Sequence, residues 1–468
     1  MGRTLAAVAL LFLLVRALTV FAYRDTLYYY GMIAHQYAIA DAAYSGHGFA
    51  HDPVLSGGAL AEAKARGRHI PLEEWSGLPR SGRYVTFPAA DLPGLGYLIA
   101  WTSRLMGGEL TTRYALIVQV LVELLSVLGF TLCAARAFGA RVAVRSAFVY
   151  VLAYPFIWPI ASLPMRDVFI LGTYASWTSA VFLFQYRPLP RVVAGIVALL
   201  ALGSLLLWVR PHGYYFCLLL LPAVLLARER SLRARAAFAL VLVIVPWLSF
   251  GRPLRAFNLR HYGVAQTDAL GRTLWQHMGI AQPNRYGFTL PDEGMLPFIR
   301  ARFGKDVEYA SPEMNRLLGD YARRVMREDP IYYLKTVTLA CREMLKTPVD
   351  FVPPFPLVAY ASSGLSPLEY ARAHPFAFAF KAFNRVFLAV FFYGGVLLAV
   401  RLARRQPQAR WPLALLLSPL VYAILVQAAT HFESRYMATA AWVLVLPWGW
   451  ALASVSRFGP WRTSSAAS

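Results

Sequence analysis

The chain has 468 residues, is 58% apolar and carries a formal charge of +22. Soluble domains are about 45–50% apolar, so this composition excludes an ordinary water-soluble globule and points to membrane spans. The positive charge would suit a nucleic-acid binder, but it lies in short segments between apolar runs. The positive-inside rule expects it there, and nucleic acid is excluded as a partner.

The first apolar run, Leu5 to Ala22, reads as an uncleaved anchor, because Arg16 interrupts it and no small-residue cleavage site follows. The fold class expected is all-α: a polytopic transmembrane helical protein of about ten spans, at roughly 4–22, 112–136, 143–160, 167–186, 192–209, 211–227, 236–250, 383–401, 412–429 and 437–455. With the N-terminus in the cytoplasm, the cytoplasmic connections carry Arg136, Arg141 and Arg145, then Arg187 and Arg191, then Arg228, Arg230, Arg233 and Arg235, then Arg401, Arg404, Arg405 and Arg410. Glu229 is the one acid among them. Both termini are therefore expected in the cytoplasm, and nearly all Asp and Glu on the opposite face.

Two long segments fall on that opposite face, 23–111 and 251–382, within what reads as one membrane domain spanning 1–468. The first begins Tyr23-Arg24-Asp25 and runs through Tyr28, Tyr29 and Tyr30 to a glycine-punctuated turn, Ser45 to Phe49. Its apolar stretch Leu92 to Met106 is shorter than the ~20 residues a span needs and reads as a helix lying on the membrane surface. In the second, Ser311-Pro312 reads as an N-cap followed by proline at the first helical position. Met314, Leu317, Leu318, Tyr321 and Val325 then recur at helical spacing, and Asp329-Pro330 opens another helix. Cys133, Cys217 and Cys341 are far apart, which excludes a disulfide scaffold and a Cys-ligated zinc.

Few residues combine position and chemistry. Asp25 sits where the first span should leave the bilayer. A partly desolvated carboxylate beside tyrosines gains basicity toward a hydroxyl, while an acid solvated in the headgroup layer is the plainer alternative. Asp167 follows Arg166 in a very short connection on the same face, either as a second working carboxylate or as an acid that pairs with Arg166 or caps the next helix. Arg210, in a turn with Pro211, His212 and Gly213, offers a bidentate fork at headgroup level that suits a lipid-linked phosphate; a snorkelling arginine is the alternative. Glu433, Arg435 and Tyr436 mark the last outer turn, where the two charges either bind substrate or neutralise each other. His35, His47, His51, Asp52 and His69 crowd the first outer segment at spacings that match no specific ligand pattern. No metal is assigned, and a divalent ion stays an unsupported alternative. Arg16 and Glu123 lie inside spans, where ionisable groups should face protein.

The order of these features resembles the GT-C superfamily of integral-membrane glycosyltransferases. More narrowly it is similar to the protein O-mannosyltransferase and lipid A aminoarabinose transferase group (glycosyltransferase family 39-like). The resemblance rests on Asp25 after the first span, the Ser45–Phe49 turn, Pro93-Gly94-Leu95-Gly96-Tyr97, Asp167, the Arg210–Gly213 turn and Glu433–Tyr436. Thr26 stands where many relatives carry a second acid. The resemblance implies an inverting transferase that takes sugar from a polyprenyl-phosphate donor, with Asp25 as catalytic acid and Asp167 as the second. Tyr28, Tyr29, Arg210, His212, Glu433, Arg435 and Tyr436 would then contact substrate. The acceptor is a glycan, a lipid or a protein, the site periplasmic, and the location a bacterial inner membrane. A transporter or flippase of a lipid-linked substrate, and an inactive scaffold of the same fold, are the rival readings.

Overall fold

A computed structural model describes residues 2–23, 31–66, 70–86, 92–157, 165–227, 229–263, 265, 270–290, 292–307, 311–346, 366–430 and 434–455. The protein is a polytopic helical membrane protein, and nine of the described helices are long and apolar enough to cross a bilayer.

The first span is α1 (Gly2–Tyr23). The first long connection folds into α2 (Gly31–Tyr44), α3 (Pro53–Arg66) and α4 (Gly94–Met106). A two-stranded antiparallel ribbon pairs β1 (Ala50–His51) with β2 (Val85–Thr86), Ala50 opposite Thr86. The predicted surface helix is thus present as α4. Its Trp101 and Leu105, four residues apart, are exposed on one side, while Leu95 and Ile99 are buried on the other.

The bundle continues with α5 (Arg113–Phe138), α6 (Ala140–Ile157), α7 (Arg166–Tyr186) and α8 (Leu189–Leu206). Helix α7 is its axis. It packs on α5 and α8, and all of its 21 residues except Leu183 and Tyr186 are buried. Close approach to α8 is allowed by a missing side chain: a Cβ on Gly203 would collide with the Trp177 indole, which donates instead to the Leu200 carbonyl at 3.2 Å. Small residues at helix contacts serve membrane bundles this way because lipid supplies no hydrophobic drive between helices.

The sixth expected span, 211–227, is shorter than its composition suggested. Pro211–Gly213 form a 3-10 turn, and the helix proper, α9 (Phe216–Leu225), has ten residues. At 1.5 Å per residue it covers about 15 Å, half the ~30 Å hydrocarbon layer. The next helix errs in the opposite direction. It is capped by Ser231, whose side chain accepts from Ala234 N, and runs as α10 (Leu232–Pro246) through a π-helical turn at Trp247–Gly251 into α11 (Arg252–Tyr262). The π turn carries the helix past two prolines, so it continues about a dozen residues beyond the expected end at 250. Gly263, at φ +67°, terminates it in the left-handed conformation that favours glycine.

The second connection builds its own apolar core from α12 (Leu270–Met278), α13 (Met295–Phe303) and α14 (Pro312–Glu328), with Trp275, Met278, Phe288, Met295, Ile299, Met314 and Leu318 buried together. The predicted cap is in place: Ser311 Oγ accepts from Met314 N at 3.2 Å. Helix α15 (Pro330–Lys346) opens with Asp329 Oδ1 accepting from Tyr332 N. This small core is tied to the bundle by Tyr333, whose hydroxyl donates to the Ala429 carbonyl at 2.8 Å.

The chain closes with α16 (Pro367–Ala373), then α17 (Pro375–Ala389) and α18 (Gly395–Arg405) joined by a second π turn, then α19 (Arg410–Ala429), α20 (Ser434–Ala441) and α21 (Val445–Val455). Ala429 ends α19, so the second connection is anchored at the turn leading to α20.

Candidate functional site

The site is organised at the N-terminus of α7. Met165, in extended conformation, precedes it, and its N–H donates to Gln119 Oε1 on α5 at 2.8 Å. That bond fixes where the helix begins. Arg166 and Asp167 then fall in the first turn, both buried. A carboxylate here gains from the positive end of the helix dipole. Asp167 pairs across the bundle with Arg210, Nε to Oδ1 3.0 Å, with side chains 2% and 6% exposed. The carboxylate thus sits in the first turn of α7 and is met by a cation from another helix end.

Arg210 is placed by the end of α8. Its N–H donates to the Leu206 carbonyl at 3.2 Å, and the 3-10 turn Pro211–Gly213 that follows packs on α7. Two turns further along α7, the Tyr174 ring lies 4.8 Å from that of Phe216 and 5.9 Å from that of Tyr422. Helix α20, which begins with the backbone of Ser434, Arg435 and Tyr436, packs against α7 as well. One helix thus gathers Asp167, Arg210, the backbone turn containing His212 and the helix bearing Arg435. Asp25, Tyr28, Tyr29 and Glu433 lie outside the described residues, and so does His69.

The first connection roofs this end. A Cβ on Gly94, at the start of α4, would collide with the Trp208 carbonyl, two residues before Arg210. Gln36 of α2 clasps the same helix start, accepting from Gly96 N at 3.0 Å and donating to the Leu92 carbonyl at 3.2 Å. Phe49, from the glycine turn, packs edge-on against Phe257 at 5.1 Å, and Trp208 meets Phe250 at 5.5 Å. The turn itself uses Gly46 and Gly48 at φ +86° and +67°.

Acids and histidines of the roof have structural work. Asp52 is the N-cap of α3: Oδ1 accepts from Val54 N and Leu55 N and from Ser81 Oγ, and Oδ2 accepts from Ser81 N and Gly82 N. Burial opposes its ionisation, but the bonds from the Ser81 hydroxyl and from the Leu55, Gly82 and Ser81 N–H groups outweigh it and hold the carboxyl below its ordinary range. Glu73 is likewise held low against burial, by hydrogen bonds from Thr111 and Thr112 at the start of α5. Asp41 accepts two bonds from Arg80, at 2.8 and 3.1 Å. His47 stacks on Tyr84 with centroids 3.6 Å apart, and His51 sits in β1, its imidazole pushed down by burial and by His35. Among the described residues no group of three or more His, Cys, Asp or Glu gathers to hold a metal ion.

Deeper in the bundle, Arg16 Nε donates to Glu123 Oε2 at 2.9 Å, and the Tyr154 hydroxyl donates to the same carboxylate at 3.0 Å. The two in-span charges that stood out in the sequence meet each other. Gln119, one turn before Glu123, escaped notice there; a lone amide inside an apolar run was the available signal.

No protein-family model matches the chain, and no curated protein matches it. Its fold is shared with the archaeal oligosaccharyltransferase AglB from Archaeoglobus fulgidus, solved in complex with an inhibitory peptide and a dolichol-phosphate: 14% identity, 97% of this chain and 50% of that one covered, TM-score 0.50. The chain spans about half the length of that protein. ArnT from Cupriavidus metallidurans, bound to undecaprenyl phosphate, superposes more loosely, at 16% identity, 96% and 79% coverage and a TM-score of 0.38.

Proposed function

We propose that this GT-C-like bundle is an inverting glycosyltransferase that moves a sugar from a polyprenyl-phosphate donor to an acceptor hydroxyl on the periplasmic face of a bacterial inner membrane. The observation that carries the reading is the buried Asp167–Arg210 pair at the roofed end of α7, beside a helix bearing another arginine. Arg210 brings a guanidinium to this end of the bundle, and its fork suits an incoming phosphate. A dolichol-phosphate accompanies the archaeal protein of the same fold, which suits a lipid phosphate as donor. The arginine-rich short connections at the opposite end of the bundle argue that the roofed end faces away from the cytoplasm.

In this reading the lipid phosphate lies near Arg210 or Arg435. The acceptor oxygen attacks the anomeric carbon from the opposite side as the carbon–phosphate oxygen bond breaks. The electron pair leaves on the polyprenyl phosphate, and Asp25 takes or orients the hydroxyl proton. The leaving group already carries charge, so positioning and cationic stabilisation do most of the work. Asp167 holds Arg210 in place.

The test is transfer of label from a panel of radiolabelled polyprenyl-phosphate sugars to a membrane extract, in lipid, beside Asp25→Asn. Transfer from one donor, lost in the variant, supports the reading. Full activity in a folded Asp25→Asn protein removes Asp25 from the chemistry. No transfer from any donor, with donor binding equal in both proteins, favours the scaffold or transporter.

A further inference from the structure

Two polar side chains of α5 face the same way, one turn apart, and each holds a different part of the site's frame. Gln119 accepts the Met165 N–H that starts α7, two residues before Asp167. Glu123 takes Arg16 of α1 and Tyr154 of α6. Both are buried, at 0% and 1% exposure. Residues four apart on a helix share a face, about 6 Å along the axis. Arg16 lies two turns before Tyr23, the last residue of α1, and the sequence reaches Asp25 two residues later.

We infer that Gln119 and Glu123 are positioning residues: through one face of α5 they set the distance between the end of α1 and the first turn of α7, which carries Asp167. The contacts are directional and non-local, joining residues 107 and 46 positions apart. Apolar packing alone would hold these helices together but leave sliding along their axes open. A hydrogen-bonded charge pair and an amide–backbone bond each fix one axial position. Both also avoid unsatisfied polar groups in hydrocarbon, which makes a slipped arrangement costly. The consequence for turnover rests on the transferase reading; the spacing itself does not.

The test separates the two. In a background with Cys133, Cys217 and Cys341 replaced, spin labels are placed at Phe21→Cys on α1 and Leu218→Cys on α9, both exposed positions, α9 being packed on α7. Interspin distances are measured in nanodiscs for the parent, Gln119→Leu, Gln119→Glu and the double variant Arg16→Leu/Glu123→Leu. The double variant removes both charges together, so no buried ion is left alone. The parent and Gln119→Glu, which keeps an acceptor for Met165, should give one narrow distance. Gln119→Leu and the double variant should give a shifted or broadened one in monodisperse, folded protein. Unchanged distributions in both would overturn the inference. For transfer, the same two variants should lose roughly tenfold or more in kcat at an unchanged KM for the donor, because small misplacement of reacting groups is expensive. A shifted distance with full kcat would also overturn it. If the parent transfers no sugar at all, the transferase reading fails while the distance measurement still decides the spacing.

Discussion

Two ion pairs are buried in this bundle to nearly the same degree, Arg16–Glu123 at 2.9 Å and Asp167–Arg210 at 3.0 Å. Their surroundings differ. The first is enclosed by helices: the Tyr154 hydroxyl bonds its carboxylate, and the guanidinium lies 5.7 Å from the Tyr154 ring centroid. The second sits where a helix N-terminus, a 3-10 turn and the roof helix α4 converge. Burial and pairing alone therefore do not mark a working site. What separates the pairs is the company of chain ends and turns, which on the proposed reading is where the lipid phosphate would bind.

The comparison is most sharply tested by removing one partner of the enclosed pair. Glu123→Leu leaves Arg16 charged in an apolar setting and should cost about 3–5 kcal/mol, whereas Arg16→Leu/Glu123→Leu should recover most of it; unfolding in detergent measures both. Conservative exchange comes next. Arg16→Lys keeps a charge that Glu123 can hold and should leave transfer within about twofold, while Arg210→Lys loses the guanidinium fork and should raise KM for the lipid donor about tenfold. Equal effects from the two lysines would erase the distinction between the pairs.

The roof gives a third kind of buried acid, held by hydrogen bonds rather than by a cation. Because the Asp52 carboxyl is depressed in the folded protein, its stabilisation is present above the ordinary carboxyl value, near 3.9, and is lost as pH falls through the folded value. Asp52→Ala should cost about 1–2 kcal/mol at neutral pH. The gap from the parent should begin to narrow as pH falls below the ordinary carboxyl value, followed by tryptophan fluorescence melts from pH 7 downward. The smallest effect is expected far from both pairs. Ser311→Ala removes the cap of α14 and should cost about 1 kcal/mol, seen as faster amide exchange in that first turn with transfer unchanged.

Much of the fold was legible. Apolar runs located each of the nine long helices to within four residues at one end or both, and Ser311 and Asp329 announced their helices through local chemistry. The errors have local causes that hydropathy does not see. Phe216–Leu225 is as apolar as any span, but the 3-10 turn of Pro211–Gly213 uses up the residues before it. Arg252 and Pro253 look like the end of a span, yet the π turn at Trp247–Gly251 carries the helix on to Tyr262. Of the candidate site, Asp167 and Arg210 were visible as charges at membrane boundaries. That they touch was not, and neither were the contributions of Gln36, Asp41, Glu73 and Gln119.

Sequence alone determined the class of the protein, the approximate position of its helices and the segregation of arginines into the short connections. These follow from composition and from patterns a few residues long, because transfer into a bilayer and helix capping act on neighbouring residues. The tertiary structure decided which charges meet. Asp167 stands beside Arg166 in the chain and is paired with Arg210, while Glu123 found Arg16 across more than a hundred residues. A buried charge must be neutralised in three dimensions, and the partner within reach is set by how helices pack rather than by what lies next in the chain.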